Sequence, residues 1–295
     1  MKIAILLPYK ENFSINKAGA VSLYVRDITA QSKFKKNIKI YGETKDKEKL
    51  LNGFVHLDIK KRFYLSKTNA YINEFVNIEK KNNADLIEIH NRPSYVNFIK
   101  KNLKSKIIIY FHNDPLSMKG SMSIQDRKNL IQNCEKIIFN SQWCKSRFTK
   151  GLNVDDLINK VEVIHQSTSK VNVNFKDKKK IISFIGKLNS SKGYDAFGKA
   201  ILKILDDFPK WHSVVIGDEP REKLIFKHKR LKLLGFKSNK FILKMLKKVS
   251  IAVVPSKWDE PFGRSSLEAS SRGCALIISN RGGLTETTKD SIVIS

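Results

Sequence analysis

Cysteine is scarce in this 295-residue sequence: Cys134, Cys144 and Cys274 stand far apart, with no CxxC pair and no Cys/His cluster. That scarcity excludes a disulfide framework and a thiolate zinc site, and it suits a reducing cytoplasm. No apolar run approaches the ~18 residues that a membrane-spanning helix requires. The opening MKIAILLPYKENF is apolar for only five residues before Pro8, too short for a secretory leader, and reads as a first buried strand. The glycine signatures G-x-G-x-x-G and G-x-x-x-x-G-K-[ST] are missing as well. Acidic residues are the remaining shortage: 28 Asp and Glu face 56 Lys and Arg, a formal net charge of +28. Such a surface attracts phosphorylated small molecules, anionic lipid or nucleic acid alike, so charge by itself selects no partner. With 41% hydrophobic residues the chain has the means to bury cores, and its length suits two domains.

What is present is a repeating grammar. Short β-branched or aromatic runs recur at Ile3–Leu7, Ile38–Tyr41, Leu86–Ile89, Ile107–Phe111, Ile137–Phe139 and Val161–Ile164. Each has the look of a buried parallel strand. Stretches such as Ala20–Lys33 and Asn69–Asn82 carry apolar residues at helical spacing between them. Alternation of strand and helix predicts a doubly wound α/β domain over residues 1–170. The polar segment STSKVNVNFKDKKK then breaks the pattern, and residues 171–180 read as a linker. Strands resume at Ile181–Ile185, Val214–Ile216, Ile251–Val254 and Ala275–Ile278, with helices near Tyr194–Asp207 and Lys240–Lys248. A second Rossmann-like domain over 181–295 follows, with a cleft expected between the two. It is short for its class and ends on the strand-like DSIVIS, as a truncated domain would.

Three segments in this second half carry chemistry. FIGKLNSSKGYD places Gly186 at a strand end, with Lys187 and Lys192 flanking a polar loop before a helix. Glycine admits a ligand to the backbone, and two ammonium groups suit a diphosphate. WDEPFGRSSLEAS sets Glu260 beyond the strand Ile251–Val254, then a turn at Pro261, Phe262 and Gly263, then a helix. Ser265 or Ser266 is the expected N-cap, Glu268 lies one to two turns along, and Gly273 is the expected stop. Carboxylates in that position accept hydrogen bonds from sugar hydroxyls. NRGGLTETT, with Gly282 and Gly283, follows the next strand. Each segment alone is equally well an ordinary surface turn.

In order and spacing, however, the series resembles the retaining glycosyltransferases of GT-B fold and GT4 type, the family that includes bacterial lipopolysaccharide and mannosyl transferases. The family pattern G-R-x4-K-G is similar to Gly186-Lys187-x4-Lys192-Gly193, with lysine in place of arginine. Two glutamates with seven residues between them, and P-F-G after the first, are matched by Glu260 through Glu268. VVIGDEP, LKLLGF, VVPSKWDEPFG and RGGLTE resemble the family's other strand ends, so the likeness spans most of 181–288. The first half is similar more loosely, through KAGAVSLYVRDI with Gly19, IYFHND with His112, FNSQWCKSRF and VEVIHQSTS.

The resemblance implies a GT-B architecture whose second domain holds a UDP- or GDP-sugar and whose first domain admits the acceptor. It gives Lys187 and Lys192 the departing diphosphate, Glu268 the ribose, and Glu260 with the Phe262–Gly263 backbone the donor sugar. Gly186, Arg264 and Gly19 would line the donor. His112 would touch the donor sugar or the acceptor; His90 and His165 are weaker candidates. No cofactor is implied beyond the nucleotide sugar, and no Asp-x-Asp pair is present to hold a metal. The implied partner is a cell-envelope glycan or glycolipid, met in the cytoplasm or peripherally on the inner membrane face through the positive charge. Nucleotide-sugar epimerases and phosphorylases share the architecture but fit the motif order less well. A basic nucleic-acid-binding protein is motivated by charge alone, without a recognition motif.

Overall fold

The short apolar runs become parallel strands because both their faces are covered. In the first strand, β1 (Ile3–Leu6), Ala4 and Leu6 belong to one buried cluster, while Ile3 and Ile5 belong to another on the opposite face. That is the two-residue period of a strand sandwiched between helix layers. The computed structural model describes residues 1–59, 66–153, 157 and 159–295, and the chain divides into two units, Met1–His165 and Gln166–Ser295.

The first unit is built from β1, α1 (Ala20–Gln31), β2 (Ile38–Gly42), β3 (Phe54–His56), α2 (Lys67–Asn82) and β4 (Leu86–His90). It continues with α3 (Val96–Asn102), β5 (Lys106–Phe111), α4 (Ile124–Asn133), β6 (Lys136–Phe139), α5 (Gln142–Thr149) and β7 (Val161–Val163). Its sheet runs β3-β2-β1-β4-β5-β6-β7, every adjacent pair parallel. Strand order reverses between β1 and β4, which places a crevice outside their carboxyl ends. Helix starts follow local chemistry: Ser123 and Asp126 form a reciprocal capping box on α4, and the Ser141 hydroxyl accepts from the Cys144 amide at 3.0 Å to open α5. β3 is a three-residue edge strand, too short to be marked by alternation.

The second unit repeats the plan with β8 (Lys179–Ile185), α6 (Tyr194–Asp207), β9 (His212–Ile216), β10 (Leu231–Leu233), α7 (Asn239–Leu246) and β11 (Val249–Val254). α8 (Arg264–Ser270), β12 (Ala275–Ser279) and β13 (Ser291–Ile294) complete it. The sheet order is β10-β9-β8-β11-β12-β13, again parallel throughout, and its reversal lies between β8 and β11. Ile182, Phe184, Phe197, Ile201 and Val215 pack on one face; Leu246, Val249, Ala252, Leu276 and Ile278 pack on the other.

Residues 171–180, expected as a linker, fall within this second unit. The Lys178 ammonium donates to the carbonyls of Val249 at 2.6 Å, Arg272 at 2.7 Å and Leu246 at 3.0 Å. Buried Arg272 in turn donates to Thr168 Oγ1 at 3.2 Å and to Ser169 O at 3.0 Å. Polar composition suggested a linker; within it Lys178 uses its length to reach backbone carbonyls. Three charge-assisted bonds end on one ammonium, so Lys178→Met is expected to cost about 2–4 kcal/mol. The measurement is urea unfolding, where the midpoint should fall with the slope unchanged.

Candidate functional site

The loop after β8 and the loop after β11 leave neighbouring strands at the point where sheet order reverses. Gly186 ends β8, its amide donating to Ile216 O at 3.0 Å. Lys187 beyond it is exposed and forms no ion pair among the described residues. Asn189 accepts from the Lys192 amide at 3.0 Å, capping a short turn over Ser190–Lys192. The Ser191 carbonyl then receives the amides of Lys257 at 2.9 Å and Trp258 at 3.0 Å, joining the two loops through backbone. Gly193 makes the approach possible. Its φ is +73°, and a Cβ there would stand 1.8 Å from the Pro255 carbonyl oxygen.

With the loops so placed, Lys192 Nζ lies 2.6 Å from Glu260 Oε1, the lysine side chain 30% exposed and the glutamate 11%. Glu260 is also bridged to the third segment: its carbonyl accepts from the Gly283 amide at 2.7 Å, and it pairs in parallel with Gly282. Gly282, at φ +58°, has no room for a side chain, since a Cβ would meet Glu260 O at 2.3 Å.

Phe262 is buried and Gly263, not a serine, occupies the N-cap of α8. The expectation of Ser265 or Ser266 as cap is therefore corrected. The helix begins two to three residues earlier, at Arg264, and the Ser266 hydroxyl is spent on Thr287 Oγ1 at 2.7 Å. Gly273 follows the helix with φ +70°, as expected of a stop. Glu268, buried on the second turn, accepts from Arg264 Nε at 2.8 Å and from Asn239 Nδ2 at 2.9 Å. Arg264 thus steadies the glutamate whose role it was expected to share.

Two further carboxylates support the lysine loop. Glu222 accepts from the Ser190 amide at 3.1 Å, and Glu219 Oε2 accepts from Asn189 Nδ2 at 3.2 Å. Hydrogen bonding from the Arg221 guanidinium holds the Glu219 carboxyl well down, at about 2. Lys257 pairs with Asp195 at 2.6 Å, which keeps the Asp195 carboxyl below its ordinary value.

His112 and Gly19 belong to the first unit. Gly19 is the N-cap of α1, and the space above it is taken by Glu11: a Cβ on Gly19 would lie 2.6 Å from Glu11 Oε1. That carboxylate accepts from the Ser22 amide at 3.0 Å, and its burial pushes the Glu11 carboxyl up. His112 is buried just beyond β5, its amide donating to Asn91 Oδ1 at 2.7 Å. His165 ends the first unit. Among the described residues no three His, Cys, Asp or Glu side chains gather to ligate a metal, and no helix is long and apolar enough to cross a membrane.

Three known proteins and one family model are similar to this chain. Residues 165–292 match the family model described as glycosyl transferases group 1. YtcC of Bacillus subtilis (strain 168) is 24% identical over 325 residues, covering 99% of this chain and 78% of that protein. Spore coat protein SA of the same strain is 24% identical over 325 residues, covering 98% of this chain and 84% of its own. Anabaena HepE, solved in complex with UDP-glucose, shares the fold at a TM-score of 0.76 and 14% identity, covering 100% of this chain and 86% of that one. The family likeness thus falls on the second unit, the one that carries the three loops.

In this chain, sequence order located Lys192, Glu260 and Glu268 at the strand ends. It did not reveal Asn189, Asn239, Glu219 or Glu222 as their supports. The only available signal was position: each follows a strand of the second sheet, where side chains from different loops converge. Gly193 supplies the sharpest test of this geometry. Gly193→Ala should cost about 2–3 kcal/mol from positive φ and overlap with Pro255. Amide exchange in residues 187–193 is expected to accelerate beyond that of the sheet, measured by mass spectrometry.

Proposed function

We propose that the enzyme transfers a hexose from a UDP- or GDP-sugar to a hydroxyl of a glycan or glycolipid, with retention of configuration, in cell-envelope polysaccharide or lipopolysaccharide synthesis. The observation that carries this reading is the Lys192–Glu260 pair at the β8/β11 crevice, with Glu268 held nearby in sequence on α8. Rupture of a glycosyl-phosphate bond builds negative charge on the departing diphosphate. Lys192, together with exposed Lys187, stabilises that charge as it forms. Lysine at 187 offers a point charge, not the two-pronged grip of arginine. Gly186 and the Phe262–Gly263 backbone line the donor.

Glu260 is already engaged by an ammonium, so its carboxylate serves as a hydrogen-bond acceptor for sugar hydroxyls. That role suits a same-face substitution by the acceptor, without a glycosyl-enzyme intermediate. Glu268, oriented by Arg264 and Asn239, accepts from the ribose hydroxyls. His112 meets the donor sugar or the acceptor. Gly19 acts through Glu11, which fills the space expected for the donor.

An anionic membrane surface is the place where such an acceptor is met. Residues 223–248 contain ten Lys or Arg and no Asp or Glu. Within them Leu233, Phe236 and Phe241 are exposed beside Lys232, Lys240 and Lys244. Apolar groups set among lysines suit the headgroup region of a cytoplasmic leaflet.

A thermal-shift screen against UDP-, GDP- and ADP-sugars tests the donor. At a hundredfold excess over Kd, the matching donor stabilises by about 2.7 kcal/mol, a rise of a few degrees. Glu268→Ala should abolish that rise, whereas a full response would remove the ribose assignment. Lys192→Ala is expected to lower kcat more than donor affinity, because its partner charge develops only in the transition state. Equal loss in kcat and in calorimetric affinity would mean plain ground-state binding.

A further inference from the structure

The carboxyl ends of β4 and β5 hold a chain of three polar side chains that the reaction scheme above does not use in full. Glu88 Oε1 stands 3.0 Å from His90 Nε2, and His90 Nδ1 stands 2.8 Å from His112 Nε2. The contact between Glu88 and His90 lies off the N–H axis, so it acts as an electrostatic bias, while the contact between the two rings is a hydrogen bond. His90 is fully buried and His112 nearly so.

The rings have little freedom. His112 stacks on Tyr110 with centroids 4.5 Å apart and meets the edge of Tyr24 at 5.0 Å. Its backbone is pinned on both sides, the amide by Asn91 Oδ1 and the carbonyl by Asn140 Nδ2 at 3.1 Å. The charged groups facing His90 are Glu88 on its own strand and Glu11 from the loop before α1, with Arg92 also set against Glu11. Glu88 thus lies against Nε2 of His90, Glu11 adds negative charge in its surroundings, and an imidazole meets Nδ1.

In a hydrogen bond between two imidazoles one nitrogen donates and the other accepts. Negative charge beside His90 Nε2 favours the proton at that nitrogen, which leaves Nδ1 with its lone pair. We propose that His90, biased by Glu88, is a positioning residue that fixes the tautomer of His112. His112 then carries its proton at Nε2 and donates it to His90. Its Nδ1 then carries the lone pair, so any group that meets the ring at that nitrogen must donate to it. This rests on the reading of His112 as a sugar contact, but the tautomer itself is measurable without any substrate. The nearest precedent in chemistry is a metal-bound or catalytic histidine whose tautomer is set by the partner of its other nitrogen.

Long-range proton–nitrogen spectra of the full chain, with His112→Gln to assign the ring, give the direct test. The expected result is a neutral His112 protonated at Nε2; protonation at Nδ1 in the wild-type protein overturns the proposal outright. His90→Asn, whose amide oxygen sits close to the place of Nδ1, should preserve the tautomer. His90→Phe should release it, and an unchanged tautomer in that variant also overturns the proposal. In turnover assays with the donor identified by thermal shift, His90→Phe is expected to lose about 10–100-fold in kcat at nearly constant KM, the effect of one lost buried hydrogen bond. His90→Asn should stay within a few-fold of wild type. Equal losses in both variants would reduce His90 to a packing residue. Failure to find any donor would bear on the proposed reaction and leave the spectra to decide the tautomer.

Discussion

Two loops in the second unit touch because residue 193 has no side chain. A Cβ at that position would overlap the Pro255 carbonyl, so any other residue would push the β8 loop away from the β11 loop. The backbone bonds from Lys257 and Trp258 to Ser191, and the ion pair from Lys192 to Glu260, all depend on this approach. Gly282 repeats the device one strand further on, where Glu260 meets the third loop. The site is therefore assembled mainly from backbone, and side chains are added to a frame already set. Loops anchored in this way hold charge in fixed positions without the entropy loss of long flexible side chains finding one another.

The Lys192–Glu260 pair contributes less to stability than its 2.6 Å length suggests, because a partly buried ion pair gives back in desolvation much of what it gains in attraction. On the proposed function its value lies in exchange: a diphosphate entering the crevice would offer the ammonium a second anion, and sugar hydroxyls would offer the carboxylate new donors. The supporting carboxylates Glu219 and Glu222 hold the loop by bonds to Asn189 and Ser190, away from the lysine's own partner. In the first unit, Glu11 plays a comparable part by accepting from the Ser22 amide in the first turn of α1.

Much of the fold was legible in the chain itself. The strands at Ile3, Ile38, Leu86, Ile107 and Ile137 are short apolar runs rich in isoleucine, as suits parallel strands buried on both faces. The helix Tyr194–Asp207 was readable to its ends, since its apolar residues recur at helical spacing and a glycine precedes it. The edge strands Phe54–His56 and Leu231–Leu233 were not, because three residues with one exposed side carry no distinctive pattern. The reach of Lys178 was not legible either: lysine looks solvated in sequence, whereas this one spends its donors on backbone carbonyls of Leu246, Val249 and Arg272.

By itself the sequence determined the order of motifs and the chemistry each carries: lysines after one strand, a glutamate pair around a turn after another, a glycine pair after a third. Those are local properties, written in adjacent residues. Only the tertiary structure decided which of these groups face one another. Lys192 meets Glu260 across 68 positions and Asn239 meets Glu268 across 29, distances along the chain over which no periodicity acts. The parallel sheet closes those gaps by bringing strand ends side by side. The same closure puts His90 against His112 and fixes which nitrogen holds the proton, a choice that no stretch of sequence contains.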